Sequence, residues 1–279
     1  MKKLDRLVWT AGISFTSFGV RIGVRTSTTE LHERILAQLP AGWKLASSPV
    51  VERLYSVIAG GTTSRPNVRS FHVLYANVQR LARTENPDRL LEALESDVDT
   101  YIAQATRHWF FVHAGVIGWK GRAIVVPGRS LSGKTTLVKE FLQAGADYFS
   151  DEFAALDARG WVYPFPRPLC IRAESPQSQD RTRVRAEELG SRAGSGPLPV
   201  ALVLLTQYRL GARWRPRVLS SGKGMLGLLA NAIAARRQPE RALATLEKVS
   251  RGAQVLKGTR GEAKEVVESI LQRVDSSIP

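Results

Sequence analysis

Residues Gly128 to Thr135 read GRSLSGKT and match the spacing G-x-x-x-x-G-K-[ST], with which a backbone wraps the phosphates of a nucleoside triphosphate. In such a turn, successive N–H groups and the start of the next helix point at phosphate oxygen. Gly128, Arg129, Ser130, Leu131, Ser132, Gly133, Lys134, Thr135 and Thr136 are therefore the candidate nucleotide-binding residues. Lys134 would reach the β- and γ-phosphate oxygens, and Thr135 would lend a hydroxyl to Mg²⁺. The glycines let backbone approach phosphate closely.

Four fixed positions recur by chance, so the flanking elements decide. Ala123 to Val126 is a short β-rich apolar run, and in TLVKEFLQA the residues Leu137, Phe141 and Leu142 fall at helical spacing before Gly145 stops the helix. Strand, turn and helix follow in the required order. Upstream, WFFVHAGVIG (109–118) reads as another strand, separated from Arg122 to Val126 only by Trp119-Lys120-Gly121. So short a connection makes a hairpin, and the strand that carries the turn has an antiparallel neighbour. That predicts a mixed, partly antiparallel sheet in an α/β (α+β) fold, unlike the largely parallel sheets of motors and GTPases. No guanine-reading N-K-x-D follows the turn.

Phosphoryl transfer also needs a group to orient or deprotonate the acceptor, a carboxylate near the metal, and cations against the developing charge. Asp151 and Glu152 end the strand that follows the helix, which brings them toward Thr135 and its metal. His113, on the outer strand of the hairpin, reaches the same edge. His32, His72 and His108 have no such partners and read as structural.

Two regions are expected: 1–108, an α+β region that is the candidate for substrate recognition, and 109–279, which carries the chemistry. In the first, strands are expected at Val20 to Arg25, Leu54 to Ala59 and Ser70 to Ala76, with helices from Thr29 to Leu39 and from Pro87 toward Arg107. In the second, a hairpin follows Glu152 (Phe153 to Leu156, then Trp161 to Phe165), and 174–198 reads as a polar surface segment. Val200 to Leu205 is a buried strand that Arg213 to Leu219 would pair with. The remainder reads as helices: Gly224 to Arg236, Pro239 to Val249 and Glu262 to Val274.

The 279 residues, 43% of them hydrophobic, are enough to bury a full core. No apolar run approaches the roughly 20 residues that span a bilayer, and MKKLDRLVWTAG lacks the apolar core of a secretion signal. A cytoplasmic protein with no membrane partner is expected. The single cysteine, Cys170, rules out an internal disulfide and is expected to be a small buried hydrophobe. Forty Lys and Arg against 25 Asp and Glu give a net charge of +15, which favours acidic partners. Eight arginines lie between Arg181 and Arg217, opposed only by Glu187 and Glu188.

HAGV at His113, GRSLSGKT at Gly128 and SDE at Ser150 to Glu152 together resemble, in order and spacing, the catalytic domain of HPr kinase/phosphorylase. That bacterial protein-serine kinase has a nucleotide fold related to ATP-dependent phosphoenolpyruvate carboxykinase. The chain is similar above all to the shorter kinases of this family from peptide-modification gene clusters, including those for lasso peptides. Pro164 to Pro168 (PFPRP), Phe18 to Ile22 and Pro40 to Trp43 extend the likeness over nearly the whole chain. The resemblance implies ATP and Mg²⁺ as cofactors, a Ser or Thr of a peptide or small protein as acceptor, and self-association into a homo-oligomer. It implies Asp151 as catalytic base with His113 its hydrogen-bonding partner, Lys134 as phosphate ligand, and Thr135 with Asp151 at the metal. Glu152 stands where the family has a second Asp and would join that metal set. Arg167 and Arg172 fall near the family's basic segment, where they would hold γ-phosphate or an acidic substrate. The segment used for phosphorolysis has no counterpart, so neither that activity nor HPr as substrate is expected. Two other readings stay open: a small-molecule kinase of the same fold, and an ATP-dependent switch whose basic surface binds nucleic acid or a phosphorylated partner. Only Tyr208 and Trp214 interleave the arginines, which gives base stacking little support.

Overall fold

A computed structural model describes residues 4–40, 42–61, 69–129, 132–172 and 181–276. The fold is mixed α/β, with mixed sheets and six α-helices among the described residues. No described helix is long and apolar enough to cross a membrane. The chain forms two compact units, Met1–Arg107 and His108–Pro279.

The first unit runs β1 (Ala11–Ser17), β2 (Val20–Thr26), α1 (Thr29–Leu36), β3 (Lys44–Leu45), β4 (Arg53–Ile58), β5 (His72–Ala76), β6 (Gln79–Thr84) and α2 (Pro87–Ala105). Its six-stranded sheet has the order β3-β1-β2-β4-β5-β6, with only β2 and β4 parallel. The strand β6 was not anticipated, because QRLART shows no apolar alternation. Phe15, Ile22, Tyr55, Val57 and Leu74 are buried in the sheet, as are Leu90, Leu94 and Ile102 of α2. A polar contact ties the helix to the sheet. Tyr55 OH donates to Asp97 Oδ2 at 2.6 Å, and Arg53 meets the same oxygen at 2.7 Å. Asn86 caps α2 by accepting the Asp88 N–H at 2.8 Å, with Pro87 at the first helical position.

The second unit opens with the antiparallel pair β7 (Phe110–Trp119) and β8 (Arg122–Pro127), turned at Lys120 and Gly121, both with positive φ. Then come α3 (Lys134–Gln143), β9 (Asp147–Ser150), β10 (Phe153–Leu156), β11 (Trp161–Tyr163), β12 (Leu169–Arg172), β13 (Arg181–Val184) and β14 (Leu198–Tyr208). The unit ends with β15 (Arg217–Val218), α4 (Ser221–Leu229), α5 (Pro239–Gly252), β16 (Gln254–Arg260) and α6 (Ala263–Asp275). The strand β14 lies parallel to β8 on one side and to β16 on the other. Their C-terminal ends therefore share the edge from which the β8–α3 turn departs, the usual ligand edge of an open α/β sheet. Leu137 and Phe141 of α3 and Ile270 and Leu271 of α6 pack with Ile124, Leu202, Leu204 and Leu256 on one face. Leu228 of α4 and Leu246 and Val249 of α5 pack with Val125, Val203 and Val255 on the other.

The structure differs from four expectations. The helix expected over Gly224 to Arg236 runs instead from Ser221 to Leu229, and Ala232 forms a bridge with Val112. Arg213 to Leu219 does not pair with Val200 to Leu205, because Arg217–Val218 pairs with β16 instead. The C-terminal part is not all helical: QVLKGTR forms β16, a central strand whose Val255 and Leu256 are buried between β14 and β15. Its short apolar centre, set between charged and glycine residues, gave no period of either kind. Cys170 is exposed, because side chains alternate along the β12–β13 ribbon and Leu169 takes the inward position.

Gly115 on β7 controls how closely α3 can approach the sheet. A β-carbon there would stand 2.7 Å from Val138 Cγ2. Gly115→Ala should destabilise the protein by about 1–3 kcal/mol in urea unfolding, and Val138→Ala added to it should recover part of that loss. A Gly115→Ala variant as stable as wild type would contradict this packing.

Candidate functional site

The strands β9 and β10 are one strand with a break. Both run antiparallel to β7, β9 against Val116 to Gly118 and β10 against Phe110 to His113. Between them, at Asp151–Glu152, the buried Ser150 hydroxyl accepts the N–H groups of Glu152 (3.1 Å) and Phe153 (3.0 Å). A side-chain oxygen that takes two consecutive amides turns the chain out of the ladder. Pairing with β7 resumes at once, through Ala114 N–H to Glu152 O at 3.0 Å.

That break presents Asp151 to the start of α3. Its Oδ2 accepts from Thr135 Oγ1 at 3.0 Å, and its Oδ1 from Tyr148 OH at 2.9 Å. The same tyrosine hydroxyl lies 2.8 Å from the Arg167 carbonyl, so its single proton is shared between two acceptors. Asp151 is only 7% exposed. Burial pushes its pKa up, against the two hydroxyl hydrogen bonds that pull it down.

Gly133 precedes α3 in the left-handed region, at φ 82°. A β-carbon on Gly128 would stand 2.6 Å from Ser132 Oγ, so the turn closes tightly on itself. Lys134 is buried, and its Nζ donates to the Arg129 carbonyl at 2.9 Å. Burial lowers its pKa, while Glu152 and Asp151 raise it. Gly128 N–H donates to His113 O at 3.1 Å, which ties the opening of the turn to β7.

The His113 imidazole engages Glu152, not Asp151. Its Nδ1 lies 2.8 Å from the Glu152 carbonyl, which can only accept, so Nδ1 carries the proton. Its Nε2 stands 3.4 Å from Glu152 Oε2. Burial, and next the Lys134 charge, lower the His113 pKa, which favours the neutral ring. Burial raises Glu152, with Lys134 opposing.

The structure thus brings His113, Lys134, Thr135, Asp151 and Glu152 together, with Gly128, Arg129, Ser132 and Gly133 around them. Thr136 lies in the first turn of α3, and Ser130 and Leu131 fall outside the described residues. Arg167 joins through its carbonyl. Arg172 closes β12 opposite Arg181, and its side chain lies outside what is described. Sequence reasoning passed over Tyr148 and Ser150. Tyr148 is three residues from Asp151, a separation that puts side chains on opposite faces of an unbroken strand, so only the break lets them meet. Sequence reasoning also passed over Arg260 of β16, whose Nη2 donates to the Gly133 carbonyl at 2.9 Å.

The oxygen set suits a hard cation. A hydroxyl and a carboxylate 3.0 Å apart, with Glu152 on the same break, match the one or two carboxylates by which Mg²⁺ is usually held. Among the described residues no three His, Cys, Asp or Glu side chains converge. Phosphate and water would have to supply the rest of the shell. No protein-family model matches this chain, and no curated protein matches it.

A buried carboxylate with no bonded cation among the described residues is a stability liability. Asp151→Asn keeps the shape and removes the buried charge, its amide oxygen accepting from Tyr148 and its amide nitrogen donating to Thr135 Oγ1 in a reversed hydrogen bond, so the ligand-free protein should melt about 2–4 °C higher, the shift that about 1 kcal/mol gives at this size. The pH dependence has a fixed sign. Because the native pKa is raised, ionised Asp151 opposes folding above that pKa, and the opposition vanishes below the ordinary aspartate range. The stability gap between variant and wild type should therefore close as the pH falls, and thermal melts that give a pH-independent gap would refute the assignment.

Proposed function

We propose that this chain is an ATP- and Mg²⁺-dependent kinase that transfers the γ-phosphate to a hydroxyl, that of a Ser or Thr in a peptide or small protein. One observation carries the reading: the buried Asp151 carboxylate stands 3.0 Å from Thr135, at a glycine-bounded turn closed by a buried lysine. The order and spacing of the HAGV, GRSLSGKT and SDE stretches, similar to those of HPr kinase/phosphorylase, support it.

In this reading Lys134 neutralises β- and γ-phosphate oxygen from its place at the Arg129 carbonyl. Thr135, Asp151 and Glu152 would hold Mg²⁺, which when bound screens the phosphate charge. Asp151 takes the acceptor proton as the hydroxyl oxygen attacks the γ-phosphorus. The bond from that phosphorus to the β–γ bridging oxygen breaks, and ADP leaves. A carboxylate with a raised pKa is a stronger base than an ordinary aspartate. His113 donates its Nδ1–H to the Glu152 carbonyl and so holds the backbone of the break in place.

An acidic acceptor fits the surface next to this site. Arg209, Arg213, Arg215 and Arg217 are exposed and follow β14 directly, at the strand end from which the β8–α3 turn also leaves. Among the described residues none of the four is in an ion pair.

Purified protein with γ-labelled ATP and Mg²⁺ should label Ser- and Thr-containing acidic peptides. Lys134→Ala and Asp151→Asn should each lose about 100-fold or more in kcat/KM. Labelling should weaken as salt rises and when acidic residues flanking the acceptor are neutralised. No transfer to any peptide, or an Asp151→Asn variant as active as wild type, would overturn the reading.

A further inference from the structure

Arg260 ends β16 with only 2% of its surface exposed. Its guanidinium has five N–H donors. Nη2 donates to the Gly133 carbonyl at 2.9 Å and Nη1 to the Gly261 carbonyl at 3.0 Å, while Nε is buried with no acceptor among the described residues. The nearest carboxylate along the chain, Glu262, attracts the guanidinium but accepts its hydrogen bond from Tyr208 OH at 2.8 Å. The Tyr208 ring faces the guanidinium at 5.5 Å. Arg260 is therefore a buried positive charge without a bonded counter-charge among the described residues, an arrangement that is costly unless something else supplies the anion.

Its position indicates what that anion is. The guanidinium lies against Gly133, where a β-carbon would stand 2.6 Å from Nη2, directly under the first turn of α3. Two more buried polar atoms, on the segments before α3 and beside it, have no partner among the described residues. One is Ser132 Oγ, beside Gly133. The other is Thr206 Oγ1 on β14, one side-chain repeat beyond Leu202 and Leu204, which pack against α3. The unpaired Nε–H of a guanidinium bonded only to carbonyls, and two unpaired hydroxyls on segments next to α3, are donors available to several acceptor oxygens.

We propose that Arg260, with Ser132 and Thr206, completes the binding site for a polyphosphate chain, a fixed positive charge beneath Gly133 whose counter-charge arrives with the ligand. The inference rests on the phosphate-binding half of the function proposed above and not on transfer. Arg260 is a binding residue here and takes no proton.

The test is calorimetric titration of the full chain with magnesium tripolyphosphate, for wild type, Arg260→Gln and Arg260→Lys. Wild type should bind, Arg260→Gln should bind about tenfold or more weakly, and Arg260→Lys, which keeps the charge without the fork, should fall between them. Thr206→Val removes an unsatisfied hydroxyl, so it should raise the ligand-free melting temperature and yet weaken binding severalfold; it carries the test if Arg260→Gln does not fold. Variants that bind like wild type would show Arg260 to be structural and sink the proposal, whatever the kinase assay gives. Binding that depends on Arg260 in a protein that labels no acceptor would uphold it and sink the kinase reading. A wild-type chain that takes up no tripolyphosphate at millimolar concentration would overturn both.

Discussion

The hydrogen bond between Thr135 and Asp151 joins the first turn of one helix to a break in a neighbouring strand, and much of the second unit is shaped by the need to make it. The helix has to lie close to β7, which Gly115 allows by offering no side chain to Val138. The strand has to leave its ladder for two residues and rejoin it, which Ser150 achieves by taking two amides. The free oxygen of the carboxylate has to be held as well, and Tyr148 holds it while leaning on the Arg167 carbonyl. Each device is ordinary. Their convergence on one carboxylate is not what packing alone would select, because a buried ionised group lowers stability unless it is matched.

The mismatch is two-sided. Asp151 and Glu152 are pushed toward their neutral forms by burial, and so are Lys134 and Arg260 at the other side of the same turn. Close pairing would relieve all four, yet the contacts go elsewhere: the lysine to Arg129, the arginine to two carbonyls, and Asp151 to two hydroxyls. Opposite charges held near each other without neutralising each other form a site that is preorganised rather than relaxed, the arrangement functional sites draw on.

Much of this was legible in the sequence, for a local reason. The β7–β8 hairpin, the β8–α3 turn and the Asp151–Glu152 pair at a strand end all follow from residues within about a turn or a strand of one another, where spacing determines geometry. What was missed depends on contacts between distant segments. Tyr148 meets Asp151 only because the strand breaks between them, and nothing in SDE announces that Ser150 will accept two amides. Arg260 lies 127 residues from Gly133. It was invisible because QVLKGTR becomes a strand only when β14 and β15 flank it. Cys170 shows the same limit at a smaller scale. Its exposure follows from the parity of a two-residue repeat, and that parity is fixed by the ribbon it joins and not by the residue itself.

The two-sided charge pattern also constrains the ligand. A bare polyphosphate would satisfy Lys134 and Arg260 but crowd Asp151 and Glu152 with like charge. A bare divalent cation would do the reverse. A polyphosphate that carries its own cation, the ligand proposed above, would relieve both halves together without any carboxylate having to reach the lysine. On the proposed reading this is why the four charges stay apart: a lysine paired to Asp151 would need no phosphate, and an Asp151 paired to the lysine would need no metal. On that reading the site would keep its charges unpaired for a metal-bound nucleotide to pair.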